Sequence, residues 1–290
     1  MAEPALASPG PAPAVLQARV VSHDEVATGT WRIRLDCPPI AARAIPGQFA
    51  MLRLAGRCDP LLARPFAVYD AFSDGIEPRY ADFIYLVHGR FTTALADVRI
   101  GDEVLAWGPL GNGFTTPATE HLVLVAGGIG QTALLALARE RLGLASYGVS
   151  GRPTPRASRV TLCWGARTAG MFACVEDFRR AGCDVHLATL DGTAGVRGTV
   201  VDLLDQRFAA GVDSAATRIA CCGPEPMMEA VAAWSAARGV PCEVSLETPM
   251  ACGIGICFTC VAAIRGTDGE WDYRRTCVEG PVFEAARVVW

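Results

Sequence analysis

The sequence predicts a multidomain β plus α/β protein: an antiparallel β-barrel first, a doubly wound parallel-sheet domain second, and a small C-terminal module last. Three observations predict it. From Gln17 to about Phe114, short runs of alternating apolar and polar residues recur, each bounded by Gly, Pro or Asp. From His121 the texture changes to continuous apolar runs that alternate with segments of helical spacing. After about Ser245, four of the chain's 12 cysteines fall in a short stretch.

The barrel runs are QARVVSHD, TWRIRLDC, QFAMLRLA, RPFAVYDA, DFIYLVHG and DEVLAWGPLG, which place this domain over 17–116. HLVLVAG, His121–Gly127, is apolar throughout, as expected of a strand buried on both faces. Glycines follow it, then QTALLALARERLG at helical spacing. RVTLCWGA, FACVEDFRRAG, DVHLATL, TVVDLLDQRF, TRIACCG and PMMEAVAAWSAARG continue the alternation, so 117–244 reads as a doubly wound sheet. The Gly/Pro-rich LASYGVSGRPTPRAS, 144–158, reads as an exposed insertion loop. Residues 245–290 read as a separate module with a short strand pair, and 1–16 as a flexible Pro/Ala tail without the basic region of a signal peptide.

Composition narrows the function classes. Of 290 residues, 51% are hydrophobic and 19% charged, the balance of a globular chain. A net charge of -4 offers no basic field for a phosphate polymer, so no nucleic-acid partner is expected. No apolar run approaches the about 20 residues that span a bilayer, so no membrane span is expected. The length and the clustered cysteines point to a reducing, cytoplasmic setting. Cys37, Cys58, Cys163, Cys174, Cys183, Cys221 and Cys242 are scattered and read as buried small hydrophobes. His23, His88, His121 and His186 are dispersed and form no acid–base triad.

Four motifs carry chemistry. Cys252, Cys257 and Cys260 give C-x4-C-x2-C, and Cys277 follows after 16 intervening residues. A loop of three with a distant fourth is the spacing of plant-type 2Fe–2S proteins, in which each of two irons takes two thiolates. Gly253 and Gly255 let backbone close on such a cluster. Tetrahedral zinc is the competing occupant, although it more often takes paired C-x2-C knuckles. The second motif, LVAGGIGQTAL, runs a buried strand into Gly127, Gly128 and Gly130 and then a helix, a setting for a pyrophosphate; a plain glycine turn is the alternative. The third, CCGPEPMMEA, ends a strand at Cys222, Gly223 and Pro224 and starts a helix just after Pro226. Ligands of open parallel sheets sit at strand C-termini, so this turn and the glycine loop would face one cleft, with Cys222 beside a nicotinamide ring. The fourth, RPFAVYD, fixes the Arg64 guanidinium at a strand start, suited to a phosphate or a flavin edge, or serving only as an edge-strand Arg-Pro.

In this order the motifs resemble one family, the electron transfer subunit of class 1B dihydroorotate dehydrogenase, within the ferredoxin–NADP reductase superfamily. The resemblance runs from about Gln17 to Phe283 and is most specific in GPLGNGF (Gly108–Phe114), MACGIGICFTCV and RRTCVEGPVF (Arg274–Phe283). It implies FAD in the barrel, NAD in the second domain, a 2Fe–2S cluster in the C-terminal module, and an FMN-containing partner that oxidises dihydroorotate to orotate for pyrimidine biosynthesis. The implied electron route runs from FMN through the cluster to FAD and NAD+, in a heterotetramer of two adapters and two catalytic subunits. Carried over by motif, Arg64, Pro65, Phe66 and Ala67 would line the FAD, Gly89, Thr92 and Thr93 its pyrophosphate, and Cys252, Cys257, Cys260 and Cys277 the cluster. Two positions depart from the family: Ala67 stands where Ser is usual, and Phe91 where the loop usually has Gly, so Phe91 either covers the flavin or redirects the loop. Related readings are a reductase subunit serving a hydrogenase, a sulfite reductase or an electron-bifurcating complex and, from another class, a zinc-stabilised binding module. Arg167, after CWGA, is placed either to meet a 2′-phosphate or as an ordinary surface arginine.

Overall fold

The computed structural model describes residues 13–290 apart from 74, 76, 150 and 151. The first half holds β1 (Ala14–Ala27), β2 (Thr30–Asp36), α1 (Pro38–Ala41), β3 (Phe49–Leu54), β4 (Arg64–Ala67), β5 (Asp70–Phe72), β6 (Tyr80–Leu86), α2 (Arg90–Ala96) and β7 (Glu103–Leu110). Of the expected tail, residues 1–12 lie outside the described residues, and Ala14–Leu16 already belong to β1. The strands form one antiparallel sheet in the order β4-β3-β7-β1-β2-β6-β5. In β7 every second residue is buried, the period-two signature of a sheet with one face on a core.

The two edge strands are one run of chain. Between β4 and β5, Val68 N donates to Gln48 O at 3.0 Å and Tyr69 N to Asp82 O at 2.9 Å. The run therefore bonds both edges of the sheet and curls it back on itself. Ile33, Leu35, Phe66, Phe83, Phe91 and Leu95 fill the interior. The two short helices of this half carry no long periodic signal; α2 is held because Phe91 and Leu95 on one face enter this core.

The second half holds β8 (His121–Gly127), a 3₁₀ turn over Gly128–Ala133, α3 (Leu135–Arg141), β9 (Arg159–Ala166), α4 (Val175–Arg180), β10 (Asp184–Thr189), β11 (Val196–Arg197), α5 (Val200–Arg207), β12 (Thr217–Cys222), α6 (Glu225–Ala236) and β13 (Cys242–Ser245). After it come β14 (Val261–Arg265), β15 (Trp271–Arg275) and β16 (Val282–Glu284). The sheet order is β11-β10-β9-β8-β12-β13-β16, parallel except for β16. All seven residues of β8 are buried, as its unbroken apolar run predicts. Thr199 opens α5 with a capping box, its hydroxyl accepting from Asp202 N while the Asp202 carboxylate accepts from Thr199 N.

Three expectations are adjusted. Helix α6 begins at Glu225 rather than after Pro226, because a proline in the first turn has no N–H that the helix needs. The 144–158 loop is not wholly exposed, since Tyr147 and Ala157 are buried. The stretch after Ser245 is tied into the α/β sheet, where β16 pairs antiparallel with β13 and covers its free edge. The cysteine loop, the β14–β15 hairpin and the residues after β16 stand outside the two large sheets. Among the scattered cysteines, Cys58 is exposed and Cys174 and Cys242 are half-buried; the others are buried. No helix among the described residues is long and apolar enough to cross a membrane.

Asp82, 0% exposed, is a buried anchor. It accepts from Arg32 Nε at 2.7 Å and from Arg34 Nε and Nη2 at 2.8 and 3.1 Å. Arg32 then reaches Asp177 Oδ2 on α4 at 3.0 Å, joining the two halves. Asp82→Ala leaves Arg34 without its carboxylate and Arg32 with Asp177 alone, and is expected to lower the unfolding free energy by roughly 3 kcal/mol, read from urea titrations.

Candidate functional site

The cysteine loop is seated on the barrel. Met51, Phe49 and Leu110 form one apolar cluster with Met250, Cys260 and Cys277. Trp107 Nε1 donates to Cys252 O at 3.0 Å, and Cys260 O accepts from Thr276 N at 2.8 Å and from its hydroxyl at 3.0 Å. Gly253 and Gly255 both have positive φ, and a Cβ at Gly253 would stand 2.5 Å from Met51 Cγ. At Gly255 it would stand 2.7 Å from Val278 Cγ2, so the wrap of the loop requires glycine at both places.

The thiols fall into two pairs. Cys252 and Cys257, half-buried and exposed, lie on the outer part of the loop, whereas Cys260 and Cys277 are both buried in the apolar cluster on the barrel. Among the described residues, no group of three or more His, Cys, Asp or Glu is gathered as around a single metal ion. Two pairs of soft thiolate donors are what a binuclear iron–sulfur cluster takes, two per iron, so the residues fit that group. The pairs differ in surroundings. Thr259, through its hydroxyl at 3.2 Å and its amide, and then Cys252, bring the exposed Cys257 thiol down to about 6. Burial, and then Cys260, push Cys277 up to about 12. Around the loop lie exposed apolar side chains, among them Ile256 (73% exposed) and Phe258 (62%), and the hairpin adds Trp271 and Tyr273. Phe258 has φ 56°, a left-handed conformation rare for a bulky residue.

Strand β4 and the first turn of α2 meet. The Phe66 and Phe91 rings lie 6.0 Å apart, and Arg90 pairs with Asp59 in the segment before β4. Arg64–Ala67 and Gly89–Thr93 are therefore neighbours, although more than twenty residues separate them in sequence. Phe91 is buried in the barrel core, which answers the question its position raised: it anchors the helix. The Thr92 hydroxyl accepts from His88 N at 2.6 Å, and the Thr93 hydroxyl donates to Gly89 O at 3.0 Å. Gly89 has φ 83° and open space where a Cβ would point. The Arg64 side chain is exposed, and its Nη1 donates to Ala63 O at 2.9 Å and to Leu62 O at 3.5 Å. This open, cationic strand start beside a glycine-led helical turn fits a dinucleotide such as FAD.

The glycine loop and the Cys-Gly-Pro turn are in contact at the topological switch point. The chain winds from β8 to β9 and β10 in one direction and to β12 and β13 in the other, so β8 and β12 are adjacent, with Ala126 opposite Cys222. A Cβ at Gly130 would stand 2.2 Å from Cys222 O, and one at Gly127 2.9 Å from Pro224 Cδ. Gly128 has φ 53° and open space beside it, while its carbonyl accepts from Trp164 Nε1 at 2.9 Å. A Cβ at Gly223 would stand 2.9 Å from Gly127 Cα. Cys222 is buried, and that burial, with Glu247 nearby, raises its thiol far above the ordinary range and keeps it neutral. Arg167 lies just past β9, and its carbonyl accepts from Asp191 N at 3.3 Å, just past β10.

Sequence reading missed the groups that hold these motifs in place. Trp107, Thr259 and Thr276 support the cysteine loop. Asn112, inside GPLGNGF, donates to Glu279 O and Val282 O and accepts from Val282 N. It thus binds the end of the barrel to CVEGPVF. The only signal available was that the two segments are the most distinctive stretches of the chain.

Residues 247–289 match the family model of the iron–sulfur cluster binding domain of dihydroorotate dehydrogenase B. The chain is 36% identical over 278 residues to the dihydroorotate dehydrogenase B (NAD(+)) electron transfer subunit of Desulforamulus reducens, covering 95% of this chain and 98% of that one. It is 34% identical over 273 residues to the subunit of the same name from Geobacillus kaustophilus, covering 93% and 96%. Among solved structures, it superposes with a TM-score of 0.77 on the NADH-dependent reduced ferredoxin–NADP oxidoreductase studied for flavin-based electron bifurcation, at 27% identity and with 95% and 90% of the two chains covered. A ferredoxin reductase of carbazole 1,9a-dioxygenase shares the fold, with a TM-score of 0.63 at 22% identity over 80% of this chain and 68% of that one.

Gly130→Ala is expected to push the two switch-point loops apart, since the clashing atom is backbone. The thermal midpoint should fall by several degrees, while Gly75→Ala, at an exposed glycine without a positive φ where a Cβ meets open space, should shift it less. Differential scanning calorimetry of the two variants checks this.

Proposed function

The chain belongs to the family of dihydroorotate dehydrogenase B (NAD(+)) electron transfer subunits, and from that premise we propose that it carries electrons from an FMN-containing dihydroorotate dehydrogenase partner to NAD+ in pyrimidine biosynthesis. FAD and a 2Fe–2S cluster are the resident groups: bound FAD exchanges hydride with NAD and single electrons with the cluster, joining two-electron to one-electron chemistry. The observation that carries the reading is the seat of the cysteine loop. Met51 packs against it and pairs across the ladder with Pro65 of β4. The loop lies on the face of β3 and β7 turned away from the barrel interior, and β4 is the ladder neighbour of β3.

The roles follow from the placements. Cys252 with Cys257, and Cys260 with Cys277, hold the two irons. Arg64, Pro65, Phe66 and Ala67 present the barrel edge to the flavin, and Gly89, Thr92 and Thr93 receive its pyrophosphate. Gly127 and Gly130 let the glycine loop close on the Cys-Gly-Pro turn, Gly128 leaves room for the NAD backbone, and Gly223 and Pro224 form the other side of the cleft. Cys222, buried and neutral, packs against the nicotinamide and moves no proton. The apolar rim of Ile256, Phe258, Trp271 and Tyr273 docks the partner, excluding water above the outer thiol pair. The setting is cytoplasmic, and a heterotetramer with two catalytic subunits is the assembly. The likeness to an electron-bifurcating oxidoreductase favours one second reading, a subunit of a bifurcating complex.

Co-purification with the dehydrogenase partner and assay of dihydroorotate-dependent NAD+ reduction separates the two readings. Activity with dihydroorotate supports the first; a chain that binds no such partner but exchanges electrons between NADH and ferredoxin supports the second. Cys257→Ser is expected to abolish cluster absorbance and partner-linked turnover while NADH still bleaches the bound FAD. Full iron content and full coupled turnover in this variant would remove Cys257 from the ligand set. Arg64→Ala should lose FAD on gel filtration, where the parent retains it, through loss of a charge-assisted contact worth about 1.5–3 kcal/mol.

A further inference from the structure

The last turn of α3 carries three consecutive charged residues, Arg139, Glu140 and Arg141, which steps of about 100° around a helix send in three directions. Arg139 Nη1 donates to Asp70 Oδ2 of the barrel at 2.5 Å. Glu140, its carboxylate fully buried, pairs at 3.3 Å with Arg152 Nη2 on the loop that follows α3. Arg141 Nη2 donates to Pro117 O at 2.9 Å, on the linker between β7 and β8. The same loop sends Tyr147, 7% exposed, back to the barrel, where its hydroxyl donates to Asp70 Oδ1 at 2.6 Å. Asp70 is 3% exposed and lies three residues beyond Ala67, at the start of β5. Its neighbour Tyr69, fully buried, donates to Asp177 Oδ2 on α4 at 3.0 Å.

Consecutive residues at the end of the flavin strand are thus gripped by the two helices that follow β8 and β9. Apolar packing would hold two domains together at less desolvation cost. A buried carboxylate with fixed donors does something apolar packing does not. Sliding the domains past each other by even one contact leaves a charge buried and unpaired, so a single relative geometry is favoured. Arg139, Tyr147 and Asp70 are not among the residues placed at the cofactors; within the barrel, Asp70 Oδ1 also accepts from Ala71 N at 2.9 Å, which fixes the carboxylate on its own strand.

We propose that Asp70, held by Arg139 and Tyr147, is a positioning residue for hydride exchange, fixing β4 at a set distance and angle from the glycine loop at the head of α3. The inference rests on the functional reading in one respect: FAD must lie on β4 and NAD at the switch point. The clamp moves no proton and no electron. It acts on alignment, where a misplacement on the order of 1 Å can cost about a hundredfold in rate.

The test uses the full chain carrying FAD and cluster, as parent, Tyr147→Phe and Asp70→Asn. Stopped-flow bleaching of FAD by NADH gives a limiting rate and a half-saturating concentration. Hydrogen–deuterium exchange without NADH reports the interface directly. Both variants are expected to lose roughly tenfold or more in limiting rate, with half-saturation and flavin content unchanged. Exchange should rise together in 64–72 and 135–149. Variants with the parent's limiting rate, whether or not exchange rises, overturn the proposal, since the contact then stabilises the domains without setting their geometry. If Asp70→Asn does not fold, Tyr147→Phe still decides, because it removes one hydroxyl and keeps the ring. A parent chain that binds FAD but is not reduced by NADH refutes the functional reading itself, and the positioning role with it.

Discussion

The run Arg64–Phe72 is the constraint on which the rest of the molecule depends. It bonds β3 through β4 and β6 through β5, so both edges of the barrel are the same piece of chain. Through the Met51–Pro65 pair it adjoins the strand on whose outer face the cysteine loop packs, and through Tyr69 and Asp70 it is bound to the nucleotide domain. A one-residue slip would turn Phe66 out of the core and carry Asp70 away from Arg139 at once. Three sites that are remote in sequence are thereby held in one register by hydrogen bonds that a β-ladder cannot make in part.

The C-terminal module depends on a second junction. Asn112 uses both its amide nitrogen and its carbonyl on the backbone of 279–282, and Gln48 Nε2 donates to Gly111 O at 2.7 Å beside it. This anchors the chain where β16 enters the sheet, so the cysteine loop is fixed at its end near Cys277 by the nucleotide domain and along its length by the barrel. The loop has little regular structure of its own. Its shape is imposed by Met51 and Trp107 on the barrel strands β3 and β7, and by Thr276 next to Cys277.

What was legible in the sequence follows a physical rule. Strands with one face on a core alternate, and β8, with both faces covered, does not; both patterns are local and were readable. The cysteine spacing was readable because cluster geometry limits how few residues can wrap it. Helix α2 was not, since two turns supply too little periodicity, and the place of Phe91 depends on Phe66, twenty-five residues away. Arg139, Glu140 and Arg141 look like an ordinary solvated helix end. Their partners Asp70, Arg152 and Pro117 lie elsewhere in the chain, and no local pattern announces a pairing across domains. Tyr147 was hidden in a Gly/Pro-rich segment for the same reason. Composition there reports the turns, while one aromatic residue carries the contact.

The chain's own groups supply orientation rather than acid–base chemistry. His121 sits at the N-terminal end of β8, away from the switch point, and burial with Arg159 nearby lowers it to about 4. His186 pairs with Asp184 on β10, and His23 bonds Tyr85 and Val98 within the barrel. Cys222 stays neutral. A reaction that transfers hydride on one side and single electrons on the other needs no more than this, provided the carriers are close and fixed. The thiol pairs then supply a direction: the inner pair, Cys260 and Cys277, is buried on the barrel, while Cys257 of the outer pair faces out among exposed apolar side chains. A relay loaded from outside needs its outer half within reach of a partner and its inner half sheltered against the protein, and the cysteine loop is built with that asymmetry.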